Sequence, residues 1–238
     1  MKIPVLSYHS ISNDNCPLSL NINKFEKQLI YLKNKKYQSI NFDEVNLKKE
    51  KQIIITFDDG YKNIISNCLP LLKKYNFKAI CFIVTNFIGK NNSWDSNNKN
   101  IISKELMNKE NLNEWINSGM TLGSHSHDHY DLTKLNYNEI RYQIEKSKGV
   151  LEDLSGTEIN SFCYPYGKYN SNIHVQMTDS STYSNAFTTN RSRYVLDRHD
   201  KYLIPRIDMG KPYSKFKIYL KLETIYEDVK YNEFQISL

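Results

Sequence analysis

The sequence predicts an α/β fold, an irregular (β/α) barrel forming one domain over residues 1–238, with an open doubly wound sheet as second choice. Three observations lead there. Short apolar runs alternate with helical patterns, as βα units require. The polar residues of chemical interest fall just after those runs, where the loops of such folds converge on one mouth. No linker, repeat or low-complexity stretch divides the chain, and its length suits one barrel with a full core.

Taken in order, residues 3–8 form the first strand, from Ile3 to Tyr8. Asn23 caps a helix running to Lys36, with Phe25, Leu29 and Leu32 on one face. The unbroken apolar run of residues 53–57 reads as a strand buried on both faces. Residues 64–75 are helical, with a new segment or a kink at Pro70. Residues 79–84 form a strand, and the polar stretch 90–100 is a loop. A helix over 106–117 stops at Gly119, and residues 121–124 form the next strand. A long helix over 137–154 ends near Gly156. Residues 161–164, 185–188 and 203–207 are further strands, and 213–226 the last helix. No glycine-rich phosphate loop follows the first strand, which disfavours a dinucleotide site.

Composition excludes several classes. The net charge of +6 is spread along the chain and does not interleave with aromatics, so no nucleic-acid module is expected. No run approaches the ~20 apolar residues of a membrane span. The start Met1-Lys2-Ile3-Pro4 enters a strand at once, without a signal peptide, so the expected location is cytoplasmic, or secreted if the N-terminus is trimmed. Cys16, Cys68, Cys81 and Cys163 form no Cys-x-x-Cys pair, which argues against a zinc ribbon; Cys68 and Cys81 read as small core residues.

The chemistry concentrates in two motifs. Thr56-Phe57-Asp58-Asp59-Gly60 ends the apolar run at residues 53–57. Two adjacent carboxylates at a buried strand end repel each other and call for a cation. Downstream lies His125-Ser126-His127-Asp128-His129. His125 and His129, four residues apart, share one face if the segment is helical or a tight turn, and two imidazoles with one carboxylate suit a divalent transition ion, most simply zinc. His127 reads as a supporting residue and Asp128 as a loop-capping carboxylate. In Phe162-Cys163-Tyr164-Pro165-Tyr166-Gly167, proline and glycine fix a turn after a strand; it either aims a backbone N–H into the mouth or is an ordinary strand-to-helix turn. His9 follows the first strand at the same mouth.

Thr-Phe-Asp-Asp-Gly, then His-Ser-x-x-His, then Pro-Tyr-Gly, in this order, resembles the NodB-homology polysaccharide deacetylases, carbohydrate esterase family 4. The resemblance runs from Val5 to Gly167 and loosely to Arg206. It implies Asp58 as general base, Asp59, His125 and His129 as metal ligands, and the Tyr166 N–H as an oxyanion donor. Two positions depart from the family. Cys163 stands where an arginine commonly orders the base, and no Leu-x-His acid lies near the C-terminus. Both departures resemble the permuted poly-N-acetylglucosamine deacetylase branch, whose acid follows the first strand. Tyr8-His9 matches that pattern, making His9 the expected acid, on the side of the metal away from Asp58. Arg206 either replaces the missing arginine or is a surface residue at a strand end.

The implied activity is metal-dependent removal of N-acetyl groups from an amino sugar in a polysaccharide or glycan precursor. Zinc is the expected ion, with cobalt, nickel or iron as options. The partners are then an N-acetylated sugar or glycan, with no nucleic acid and no stable membrane insertion; the oligomeric state is open. Two rivals remain: a cytoplasmic deacetylase or amidase on a nucleotide-linked, lipid-linked or other small amide, and a non-catalytic carbohydrate-binding barrel. Intact Asp58, Asp59, His125 and His129 argue against the last.

Overall fold

The computed structural model describes residues 2–46, 48–179 and 182–230. The ends of the expected single domain, residue 1 and residues 231–238, lie outside the described residues. The central strands are β1 (Val5–Tyr8), β5 (Gln52–Phe57), β6 (Ile80–Ile83), β7 (Thr121–Ser124), β8 (Ser161–Cys163), β9 (Asn185–Phe187) and β10 (Ile207–Asp208). They form one parallel sheet in the order β10-β1-β5-β6-β7-β8-β9, and the short β4 (Gln38–Ser39) pairs with β5. A separate pair, β2 (Ser10–Ile11) and β3 (Ser19–Leu20), flanks the mouth.

The two edges meet through one segment. Ile204 bridges Phe187 of β9 in parallel, and three residues later Ile207 pairs with Leu6 of β1. This irregular stave draws the sheet into a barrel. The strand expected over 203–207 is therefore one bridge and a two-residue strand, because Pro205 between them offers no N–H to a ladder.

Strand alternation divides the core in two. Val5, Ile54, Ile80, Phe82, Cys163, Phe187 and Ile204 pack together inside the barrel. Leu6, Tyr8, Ile53, Ile55, Phe57, Cys81 and Leu122 face the helices. Both faces of β5 are thus buried, which is why its sequence is an apolar run rather than an alternation.

The helices follow the sequence with shifted ends. Helix α1 (Ile22–Asn34) is capped by Asn21 rather than Asn23; the Asn21 side chain accepts the N–H groups of Asn23 and Lys24. Phe25, Leu29 and Leu32 are buried as expected, and the Phe25 ring meets Tyr8 edge-on at 5.2 Å. Helices α2 (Asn63–Asn67) and α3 (Leu69–Tyr75) break at Cys68, and Pro70 falls in the first turn of the second. Helix α4 (Lys109–Asn117) begins later than residue 106, because Leu106 bridges Tyr61 and Asn108 caps the first turn. Helix α5 (Tyr137–Ser155) ends at Gly156, α6 (Ser171–Asp179) follows the Pro-Tyr-Gly turn, and α7 (Lys215–Glu223) is shorter than the expected 213–226. Among the described residues no helix is long and apolar enough to cross a membrane.

Candidate metal centre and active site

The site begins with the periodicity of β5. Ile54 and Thr56 point into the barrel, and the same alternation brings Asp58 inward at the strand's end. Asp59 then leaves the strand at φ 72°, a left-handed conformation costing roughly 1–2 kcal/mol for a residue with a side chain. Gly60 follows at φ 73°, and a Cβ there would lie 2.9 Å from Ile83 Cδ1, so the turn requires glycine. The break in alternation sends the two carboxylates to different partners.

Asp58 is buried and held by Arg206. Both guanidinium arms donate to it, Nη1 to Oδ1 and Nη2 to Oδ2, each at 2.7 Å. Arg206 is itself fully packed, its Nε donating to the Thr188 carbonyl at 2.8 Å and Nη1 to Thr56 Oγ1 at 3.1 Å. The surface alternative for Arg206 is excluded by this burial. Burial pushes the Asp58 carboxyl up, but the guanidinium outweighs it and holds the group below the ordinary carboxylate range. Cys163 sits 3.2 Å from Arg206 Nη2, and burial keeps its thiol protonated.

Asp59 meets the two histidines. Its Oδ1 lies 3.5 Å from His125 Nε2 and 3.4 Å from His129 Nε2, with all three residues buried. One ligand atom from each lies within 4.8 Å of the others. His125 contacts the Cys163 carbonyl at 2.7 Å through Nδ1; donation there leaves the Nε2 lone pair facing Asp59, the arrangement of an imidazole ligand. Burial, then the neighbouring His129, pushes His125 down to about 4, so it is neutral and ready to ligate at physiological pH. This donor set fits a divalent transition ion with three protein ligands and further positions for water or substrate. A second grouping, Asp58, His125 and Cys163, fits one poorly, because Asp58 is already neutralised by Arg206 and Cys163 is a thiol.

The histidine turn is held in a strained shape. Ser126 (φ 66°) and His129 (φ 60°) are both left-handed. His125 N–H continues the sheet to the Ile83 carbonyl at 2.9 Å, and the His129 N–H donates to Ser126 Oγ at 3.1 Å. His127 points away from the centre, as expected, and its Nδ1 lies 2.8 Å from Thr85 Oγ1. Asp128 bonds Asn86 and Gln143 rather than facing the centre.

His9 is partly exposed, with Nε2 3.9 Å from Asp58 Oδ2. It therefore stands on the Asp58 side and not across from it, because β1 and β5 are paired neighbours and their ends emerge together. Tyr166 lies in the Pro165–Gly167 turn at φ 59°, its ring 4.7 Å from that of His129. Gly167 is required there: a Cβ would fall 2.0 Å from Thr189 Oγ1.

Sequence reasoning missed Trp94. Its ring lies over His129 at 4.7 Å and 30°, so that His129 sits between Trp94 and Tyr166. The two aromatics, with Tyr130, Leu135, Lys134 and Lys168, line a cleft of about 470 Å³ opening on His129. The available signal was a lone tryptophan in an otherwise polar loop.

The family described as polysaccharide deacetylase matches residues 46–184, more than half of the chain. Among curated proteins, YxkH of Bacillus subtilis (strain 168), named for the polysaccharide deacetylases, is 29% identical over 236 residues, covering 92% of this chain and 76% of its own length. The poly-beta-1,6-N-acetyl-D-glucosamine N-deacetylase of Staphylococcus epidermidis is 29% identical over 199 residues, covering 77% of this chain and 65% of its own. The chain thus spans about three quarters of the first relative and just under two thirds of the second. Among solved structures, the Streptococcus pyogenes deacetylase PplD in complex with acetate shares the fold with a TM-score of 0.79 at 23% identity, covering 93% of this chain and 98% of that one. IcaB from Ammonifex degensii does so with a TM-score of 0.73 at 22% identity, covering 87% and 91%.

Proposed function

The chain belongs to the polysaccharide deacetylase family, and on that footing we propose that it hydrolyses N-acetyl groups on an amino sugar within a polysaccharide. One observation carries the reading: a buried Asp59–His125–His129 set at a strand mouth, with a second buried carboxylate, Asp58, held by arginine beside it. Asp59, His125 and His129 would hold a divalent transition ion, zinc being the simplest choice. When bound, that ion supplies a Lewis acid for the acetyl carbonyl and lowers the pKa of a water.

The remaining work falls to side chains. Asp58 accepts a proton from the attacking water; Arg206 keeps it ionised and fixes its plane, leaving a lone pair on each oxygen for that proton. The Tyr166 N–H donates to the oxygen that gains charge as the tetrahedral centre forms. His9 gives a proton to the amide nitrogen as the C–N bond breaks. The products are acetate and a free amino sugar. The aromatic faces of Trp94 and Tyr166 suit the apolar faces of a sugar ring.

The test is acetate release from N-acetylglucosamine oligomers by the zinc-loaded protein, compared with Asp58→Asn. The variant keeps the size of the side chain and removes the base. It should retain its metal while turnover falls roughly 10²-fold or more. Loss of the metal along with activity would make Asp58 a ligand, and an active Asp58→Asn would end the proposed role.

A further inference from the structure

We infer that Gln143, on α5, is a positioning residue for the metal ligands. The inference rests on the reading of Asp59, His125 and His129 as a metal centre. Gln143 sits on the buried face of α5, between Ile140 and Ile144, where an apolar side chain would serve the helix equally well. A buried amide is unfavourable there unless it is bonded. Among the described residues, the Gln143 side-chain bonds run to the histidine turn. Its Oε1 accepts the N–H of His127 at 3.1 Å and that of Asp128 at 2.8 Å, and its Nε2 donates to Asp128 Oδ2 at 2.6 Å.

Those two residues lie between the ligands His125 and His129, in a turn with left-handed residues at Ser126 and His129. Left-handed backbone is unfavourable for both side chains, so the turn needs outside restraint. It is gripped on the other side by the segment after β6: Asn86 N–H donates to the His127 carbonyl at 2.9 Å, and Asn86 Nδ2 to Asp128 Oδ1 at 2.6 Å. Gln143 is thus one jaw of a clamp that sets the approach of His129 to Asp59 without touching either. Metal affinity is sensitive to groups of this kind.

The probe is Co²⁺, added to chelator-stripped protein and followed by competition titration and visible absorption. Gln143→Met should bind Co²⁺ roughly 10–100-fold more weakly, with an altered ligand-field spectrum. Gln143→Glu should also bind weakly, because a carboxylate beside Asp128 repels it and supplies no donor. Combining Gln143→Glu with Asp128→Asn exchanges donor and acceptor. The glutamate accepts both N–H groups, and the asparagine donates to it while still accepting from Asn86. This pair should restore affinity to within a few-fold of the parent, which a merely space-filling role for Gln143 would not produce. Parent-like Co²⁺ affinity and spectrum in folded Gln143→Met overturns the inference. So does a swapped pair no better than Gln143→Glu alone, a comparison that decides the matter even where Gln143→Met does not fold. A parent protein that takes up no Co²⁺ removes the metal reading itself and the inference with it.

Discussion

Asp58 and Arg206 form a fully buried ion pair in which both carboxylate oxygens are engaged. Removing one partner strands the other charge, so Arg206→Met should cost about 3–5 kcal/mol in denaturant unfolding. Adding Asp58→Asn to that variant removes the stranded charge and should recover much of the loss. A double variant as unstable as Arg206→Met would show that the arginine acts by packing alone. His125 carries the main pH prediction. Its pKa is pushed down to about 4 by burial and by His129, while in the unfolded chain it titrates near 6.5. Between those values the unfolded state binds more protons, so this contribution is complete above pH 6.5 and is lost as pH falls toward 4. Metal-free protein should lose on the order of 3 kcal/mol across that window from this group. Urea titrations at several pH values test it: His125→Asn should flatten the slope, and an unchanged slope would assign the loss elsewhere.

At the scale of the element, the turn after β5 matters most. Gly60→Ala puts a Cβ 2.9 Å from Ile83 Cδ1 at φ 73°. A cost of about 1–2 kcal/mol is expected from the backbone alone, read as a lower unfolding midpoint, together with weaker metal binding because Asp59 shifts with its neighbour. Parent-like stability and affinity would show that the turn relaxes freely. The strand and both carboxylates were legible because the short run Ile53-Ile54-Ile55 is wholly β-branched, which favours a buried strand, and Asp58-Asp59 has no apolar explanation. His125 and His129 were legible from spacing, although the turn that joins them is left-handed at two points and not a helical face. The cap of α1 was misplaced by two residues because Asn21 and Asn23 are equally good caps in sequence, and only the bonds to Asn23 and Lys24 distinguish them. Trp94 and Gln143 were invisible for another reason. Each acts through a contact with a residue distant in the chain, and nothing local in a polar loop or an amphipathic helix records it.

Across the whole molecule, the candidate ligands come from the ends of β5 and β7, which β6 separates in the sheet. An ion held by Asp59, His125 and His129 would tie one end of the barrel together and bind the folded state in preference to the unfolded chain. Added Zn²⁺ should therefore raise the thermal midpoint in proportion to the logarithm of its concentration above Kd. His129→Ala should abolish that dependence, and a variant that retains it would relocate the site.

The stave that closes the barrel also carries Arg206, between Ile204 on one edge and Ile207 on the other. Until it docks, the sheet has two open edges and Asp58 has no guanidinium. Closure of the sheet and neutralisation of the buried Asp58 carboxylate are then one event. A chain still short of residue 206 lacks the guanidinium that holds Asp58 below the ordinary carboxylate range, so on the proposed mechanism it would have no working base. On the proposed function, activity should therefore appear as a step when residue 206 docks, and not as a ramp.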